Sequence, residues 1–88
     1  MNTYEHYRRG AAEVGAIVLR LYNTEGQVRG YIREVKEGGE DTTFPSEELE
    51  VDNALRLAEN KNLDHPDMPI YVEMAEGVRW DPAWGKLN

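Results

Sequence analysis

The feature that most constrains this fold is a pair of amphipathic segments joined by a short turn. Apolar and polar residues alternate through residues 16–22 and again through residues 28–33, which is the period of a half-buried β-strand. Gly26, in the intervening "NTEGQ", supplies the positive φ that a tight hairpin loop requires. The sequence therefore predicts an antiparallel hairpin with one apolar face and one polar face.

The register of this hairpin depends on its loop. If Glu25 and Gly26 form a two-residue loop, the strands pair Leu19 with Ile32, Leu21 with Gly30, Arg20 with Tyr31, and Tyr22 with Arg29. A type I turn followed by a glycine bulge would shift this pairing by one residue. That shift would mix polar and apolar side chains on both faces, so we favour the two-residue loop.

A helix is predicted after the hairpin. Two glycines, small polar residues and a proline in "KEGGEDTTFPS" indicate a loop. Ser46 then fits a helix N-cap, and the glutamates behind it suit the positive end of a helix dipole. Apolar residues follow at helical spacing: Val51, Ala54, Leu55 and Ala58. We expect this helix to pack closely on the apolar side of the hairpin.

The predicted fold class is α+β, in the order β-β-α-β-β. "PIYVEM" reads as a third strand and "VRW", residues 78–80, as a short fourth one. The sheet would have three or four mostly antiparallel strands in the order 2-1-3-4, with one helix on one face. A right-handed crossover places the third strand beside the first and parallel to the second. Residues 1–14 would form an arm or a short N-terminal helix, and residues 15–88 a single domain.

Composition narrows the class of protein. The 88 residues are too few for two cores, and no apolar run approaches the ~20 residues of a membrane helix. The net charge is −7, yet residues 1–36 carry six basic and four acidic residues, whereas residues 37–88 carry four basic and thirteen acidic ones. The acidic half disfavours nucleic acid as a partner of the whole surface. The absence of cysteine and of a signal sequence favours a soluble, cytoplasmic protein.

Catalytic and metal chemistry find little support in the sequence. Ser46 is the only serine, and no nucleophile motif surrounds it. The "LDHPDM" stretch holds Asp64, His65 and Asp67, which are metal-ligand residue types. An ordinary loop between helix and strand explains them better, because aspartate and proline are expected there. We therefore expect no enzyme activity, no metal and no cofactor.

The polar face of the hairpin is the candidate site. It combines three arginines and two tyrosines, here called the Arg/Tyr face: Arg20, Tyr22, Arg29, Tyr31 and Arg33. Cross-strand cation–π pairs alone would explain these residues. Arginine and tyrosine are also enriched at protein interfaces, whereas lysine, absent from this face, is depleted. The sequence thus favours a protein-binding or self-associating module, with Trp84 as a further contact at the edge.

Two other functions remain open from the sequence. Tyrosines on a sheet face can stack the bases of single-stranded nucleic acid, and the same face would then be the binding site. The acidic residues Glu47, Glu48, Glu50 and Asp52 could instead imitate phosphates and block a nucleic-acid-binding partner. Such mimicry requires a regular spacing of carboxylates in space.

Overall fold

A computed structural model describes residues 3–8, 10, 12–37 and 42–88, with residues 42–47 described for the backbone alone. The described chain contains six strands, one α-helix and a short 3-10 helix: β1 (Thr3–His6), β2 (Ile17–Thr24), β3 (Gln27–Glu34), β4 (Thr42–Glu50), α1 (Val51–Asn62), β5 (Tyr71–Met74), the 3-10 helix (Pro82–Trp84) and β6 (Lys86–Leu87). This part of the chain holds no helix long and apolar enough to cross a membrane.

All six strands belong to one mixed sheet, in the order β4-β3-β2-β5-β1-β6. The pairs β2–β3 and β3–β4 are antiparallel, whereas β5 pairs in parallel with β2 and with β1, and β1 pairs in parallel with β6. The prediction of an α+β fold with one helix is confirmed. The sheet is larger than the three or four strands expected: β4 is added beside β3, and β1 and β6 lie beyond β5, where residues 78–80 were expected.

The central hairpin has the favoured register. Leu19 pairs with Ile32, and Arg20 pairs with Tyr31. The two loop residues both have positive φ, 52° at Glu25 and 77° at Gly26, as a type I′ turn requires. This turn has the same twist as the strands that flank it, so it is compatible with a sheet in which one face is fully apolar.

The segment before the helix is a strand rather than a loop and a helix start. β4 contains Ser46, which the sequence predicts as the helix N-cap. The helix instead begins at Val51, after Glu50, and no side chain caps it. β4 satisfies the backbone groups along the outer edge of β3, and an edge strand tolerates the proline at position 45 because one side of the strand needs no hydrogen bonds.

This extra strand also reverses the direction of β5. β5 lies beside β2, as predicted, but it runs parallel to β2 and not to β3. Because β4 carries the chain back across the sheet before α1, the helix starts at the opposite end from the one expected. The crossover through α1 therefore delivers β5 in the direction of β2.

The two ends of the described chain pair with each other inside the sheet. The predicted N-terminal helix or arm is wrong, because Thr3–His6 forms β1 between β5 and β6. The amide of Glu5 donates to the Ile70 carbonyl at 3.0 Å, and the amide of Asn88 donates to the Tyr4 carbonyl at 2.9 Å. The predicted strand at residues 78–80 is not formed, and β6 completes the edge instead.

The hydrophobic core lies between α1 and one face of the sheet. Ala54 and Ala58 are fully buried, and their small side chains let the helix approach the strands. Gly30 faces this helix, and a Cβ there would come within 2.9 Å of the Arg20 carbonyl oxygen and 3.5 Å of the Ala54 Cβ. The predicted core residues are buried: Leu19, Leu21, Ile32, Leu55 and Val72. Met74, predicted with them, is only half-buried.

Candidate functional site

The Arg/Tyr face lies on the side of the sheet that α1 leaves uncovered. Its residues alternate along β2 and β3 with Leu19, Leu21 and Ile32, which are buried beneath the helix. Successive side chains of a strand point to opposite faces, so all five predicted residues share the other face. The structure therefore brings the predicted set together, but it divides the set into a covered part and an open part.

A shared carboxylate organises the covered part. The Oε1 atom of Glu73 accepts from Nη1 of Arg20 and from Nη1 of Arg33, both at 3.0 Å. Burial would raise the pKa of the Glu73 carboxyl, but the hydrogen bonds and charges of the two arginines together outweigh it and lower that pKa. Side-chain exposure is 17% for Arg33 and 35% for Arg20, so Arg20 is the more accessible cation.

Tyr7 covers one end of this part. Its ring lies 5.1 Å from the Arg33 guanidinium carbon and 6.3 Å from the ring centroid of Tyr71. Arg33 and Tyr71 flank Val18 on neighbouring strands, and Val18 is fully buried. Burial would lower the pKa of Arg33, but its interactions with Glu73 and Tyr7 raise it instead. Arg33 is therefore largely occupied by contacts within the chain, with Glu73 and with Tyr7.

The open part is centred on two tyrosines. The rings of Tyr22 and Tyr31 lie 6.1 Å apart and are tilted by 52°, and both side chains are half-buried. Beside Tyr22, Nη1 of Arg29 lies 3.5 Å from Oε1 of Glu50. Burial, followed by the negative charge and hydrogen bond of Glu48, raises the pKa of the Tyr22 phenol. The open part therefore combines two aromatic rings, the guanidinium group of Arg29 and two carboxylates on one surface.

Trp84 lies apart from the Arg/Tyr face. Its ring packs edge-on against Trp80 at 5.2 Å, and Trp80 in turn contacts Tyr4 at 5.5 Å. Trp84 also borders a groove with Leu55 and Glu59 of α1, on the helix side of the sheet. The Nε1 group of Trp80 donates to the Gly85 carbonyl at 2.9 Å. The two tryptophans thus extend the core beneath the C-terminal segment.

On the helix side of the sheet, the buried residue Tyr4 contacts α1. Tyr4 is 1% exposed, and its hydroxyl donates to Oε1 of Glu59 at 3.1 Å. Burial, followed by the hydrogen bond and charge of Glu59, raises the pKa of the Tyr4 phenol well above its ordinary value. Such a phenol stays protonated at neutral pH, and its contact fastens β1 to α1.

The loop side chains of "LDHPDM" stay dispersed. Asp64, His65 and Asp67 are exposed, and the ring of His65 lies beside Gly15. Across residues 3–8, 10, 12–37 and 42–88, no three carboxylate, imidazole or thiol groups come together as a metal site.

Sequence reasoning missed the residues that frame the Arg/Tyr face. The prediction of an arm or short helix for residues 1–14 includes Tyr7, although its spacing from Glu5 is that of one strand face. The helix prediction places Glu48 and Glu50 at the positive end of the helix dipole. Their spacing on either side of Leu49 was an available signal for a strand. These residues matter because Tyr7 covers Arg33, and Glu48 and Glu50 place negative charge beside Tyr22 and Arg29.

The chain was also compared with known proteins. No family model, no curated protein and no solved structure matches it. Its function is therefore inferred from the geometry and charges of the Arg/Tyr face.

Proposed function

We propose that this protein is a binding module without catalytic chemistry, and that it contacts another protein through the open part of the Arg/Tyr face together with the neighbouring Arg20, whose side chain is 35% exposed. The contact residues are the central four: Arg20, Tyr22, Arg29 and Tyr31. The observation that carries the proposal is the Tyr22–Tyr31 pair, with ring centroids 6.1 Å apart on a sheet face that α1 leaves uncovered. A cytoplasmic location belongs to the same proposal.

The side-chain chemistry of this surface favours a protein partner. Tyrosine offers a large, rigid contact area at a low cost in conformational entropy. Arg20 and Arg29 each have a carboxylate neighbour, Glu73 at 3.0 Å and Glu50 at 3.5 Å, which holds the guanidinium before a partner arrives. Preorganised groups lose less freedom on binding, so they retain more of their interaction energy.

The same carboxylates disfavour single-stranded nucleic acid on this face. Glu48 interacts with Tyr22, and Glu50 and Glu73 pair with the two arginines beside the tyrosines. These carboxylates would repel the phosphates next to any stacked base. Glu48 and Glu50 also interact with Tyr22 and Arg29. Their carboxylates are thereby drawn towards their own sheet, which weakens the acidic-mimic hypothesis as well.

Replacing both central tyrosines tests the proposal. The variant Tyr22→Ser with Tyr31→Ser removes the aromatic area and leaves the buried face of the hairpin intact. Wild-type and variant chains would be immobilised, and captured proteins identified and then titrated in purified form. We expect the variant to lose at least tenfold in affinity, since central interface tyrosines are frequent hot spots.

A matched control removes exposed apolar area elsewhere. Val14 and Leu63 are 55% and 71% exposed, and the variant Val14→Ser with Leu63→Ser should bind as the wild type does. Circular dichroism and thermal melting establish that each variant is folded. If the folded tyrosine variant binds its partner with unchanged affinity, the proposed surface is wrong.

A further inference from the structure

We infer that the partner of this surface is a second copy of the same chain; this inference rests on the proposed function. The argument starts from the pattern formed by the central four residues, here called the checkerboard: Arg20, Tyr22, Arg29 and Tyr31. On adjacent strands, Arg20 pairs with Tyr31 and Tyr22 pairs with Arg29. Each arginine therefore has a tyrosine across the strand pair and a tyrosine along its own strand.

Two rows of side chains cross the strands, and each has the order glutamate, arginine, tyrosine, but the two rows run in opposite directions. One row reads Glu50, Arg29, Tyr22 from β4 to β2, and the next reads Glu73, Arg20, Tyr31 from β5 to β3. In each row the glutamate forms an ion pair with the arginine, at 3.5 Å and 3.0 Å respectively. An antiparallel strand pair has a local two-fold axis perpendicular to the sheet, and this axis relates the two rows.

This pattern is complementary to itself. When two copies stack face to face, the two-fold axis that relates them lies in the plane of the interface. An axis along the strands places Arg29 over Tyr22 of the second copy, and an axis across the strands places it over Tyr31. The same holds for Arg20, so either arrangement forms four arginine–tyrosine contacts. Each contact sets a cation over an aromatic face.

Internal ion pairs prepare the arginines for this contact. Glu73 and Glu50 neutralise part of the charge of Arg20 and Arg29, so two checkerboards can approach without strong repulsion between arginines. The neighbouring Arg33 is held back by Glu73 and Tyr7, which leaves the checkerboard as the accessible part of the face. The surface is nevertheless small, so we expect a weak dimer with a dissociation constant on the order of 0.1–1 mM.

Salt distinguishes a second copy from a basic partner. Each chain carries a net charge of −7, so two copies repel one another over the length that salt leaves unscreened, about 8 Å at physiological ionic strength. Added salt should therefore strengthen self-association. A basic partner drawn to the acidic residues would bind more weakly as salt is added.

The experiment measures mass by light scattering or sedimentation equilibrium, from about 20 μM to about 2 mM chain and at low and moderate salt. We expect the average mass to rise towards that of a dimer with concentration, and the dissociation constant to fall several-fold when salt is raised. A wild-type chain that stays monomeric throughout this range overturns the inference. So does a dimer that dissociates when salt is added.

Two variants that have the same net charge as each other locate the interface. The test variant is Arg20→Gln with Arg29→Gln, and the matched control is Arg56→Gln with Arg79→Gln, at two exposed arginines outside the Arg/Tyr face. Both variants lose two positive charges, so long-range repulsion changes equally. We expect the test variant to weaken the dimer at least tenfold more than the control does. Equal weakening would place the interface elsewhere.

Contacts between copies can also be observed directly by nuclear magnetic resonance. In a mixture of isotope-labelled and unlabelled chains, intermolecular Overhauser effects should join arginine side-chain protons to tyrosine ring protons of the checkerboard. Intermolecular effects confined to other surfaces overturn the inference. A wild-type monomer that still binds a different protein through Tyr22 and Tyr31 would contradict the dimer alone. A chain that neither self-associates nor binds another protein through these tyrosines would contradict the proposed function too.

Discussion

The single carboxylate of Glu73 shows how one residue sets the character of the Arg/Tyr face. Its Oε1 atom accepts from Arg20 and Arg33, both at 3.0 Å, and thereby ties β5 to β2 and β3 across the uncovered face. The alternation of β2 and β3 was sufficient to place the arginines on one face. It could not show that they share an acceptor, because that depends on the register of β5, a strand about forty residues away.

The Glu73 interaction predicts a specific dependence of stability on pH. The pKa of Glu73 in the folded chain lies below its ordinary value of 4.5, so the stabilisation is complete above about pH 4.5 and is lost as the pH falls through the folded value. The variant Glu73→Gln should lower the free energy of unfolding by about 1–3 kcal/mol at pH 7. Chemical denaturation should show this difference shrinking below pH 4.5; a difference independent of pH would mean that the charge of Glu73 is not what stabilises the fold.

At the scale of elements, the hairpin was predictable and β4 was not. The turn at Gly26 allows two registers, and the apolar set of β2 and β3 selects the one that keeps a single face apolar. In residues 42–50 the local sequence indicates a loop and a capped helix, because a proline, a serine and several glutamates are typical of them. The segment nevertheless forms a strand. Pairing with the free edge of β3 outweighs those preferences, and strand propensity is strongly dependent on such context.

The packing of α1 on the sheet gives the element-scale prediction. Leu55 is 8% exposed and belongs to the core cluster, so Leu55→Ala should reduce the free energy of unfolding by about 2–5 kcal/mol through lost burial and the cavity that remains. Leu63, just beyond the end of α1, is 71% exposed. The control Leu63→Ala should change stability by less than about 0.5 kcal/mol. Equal effects of the two substitutions in thermal or denaturant unfolding would contradict the described packing of α1.

At the scale of the whole molecule, the sheet is completed by segments from opposite ends of the described chain. β1 has four residues and β6 has two, too few for an alternating pattern to identify either as a strand. Their formation depends on each other and on β5, so it is a property of the assembled sheet and not of local sequence. The same contacts position Tyr7 over Arg33. The hairpin alone therefore could not show that part of the Arg/Tyr face is covered.

Truncation after Gly85 tests this closure of the sheet. In the full chain the amide of His6 donates to the Asn88 carbonyl at 3.3 Å. The amides of Glu5 and Tyr7 donate instead to the carbonyls of Ile70 and Val72, at 3.0 Å and 2.8 Å. Hydrogen exchange of the truncated chain should therefore be faster at His6, while Glu5 and Tyr7 keep their protection because β5 still pairs with β1. Unchanged exchange at His6 would show that β6 does not pair with β1. Rapid exchange at Glu5 and Tyr7 in the full chain would remove β1 from the sheet, and with it the cover that Tyr7 provides for the Arg/Tyr face.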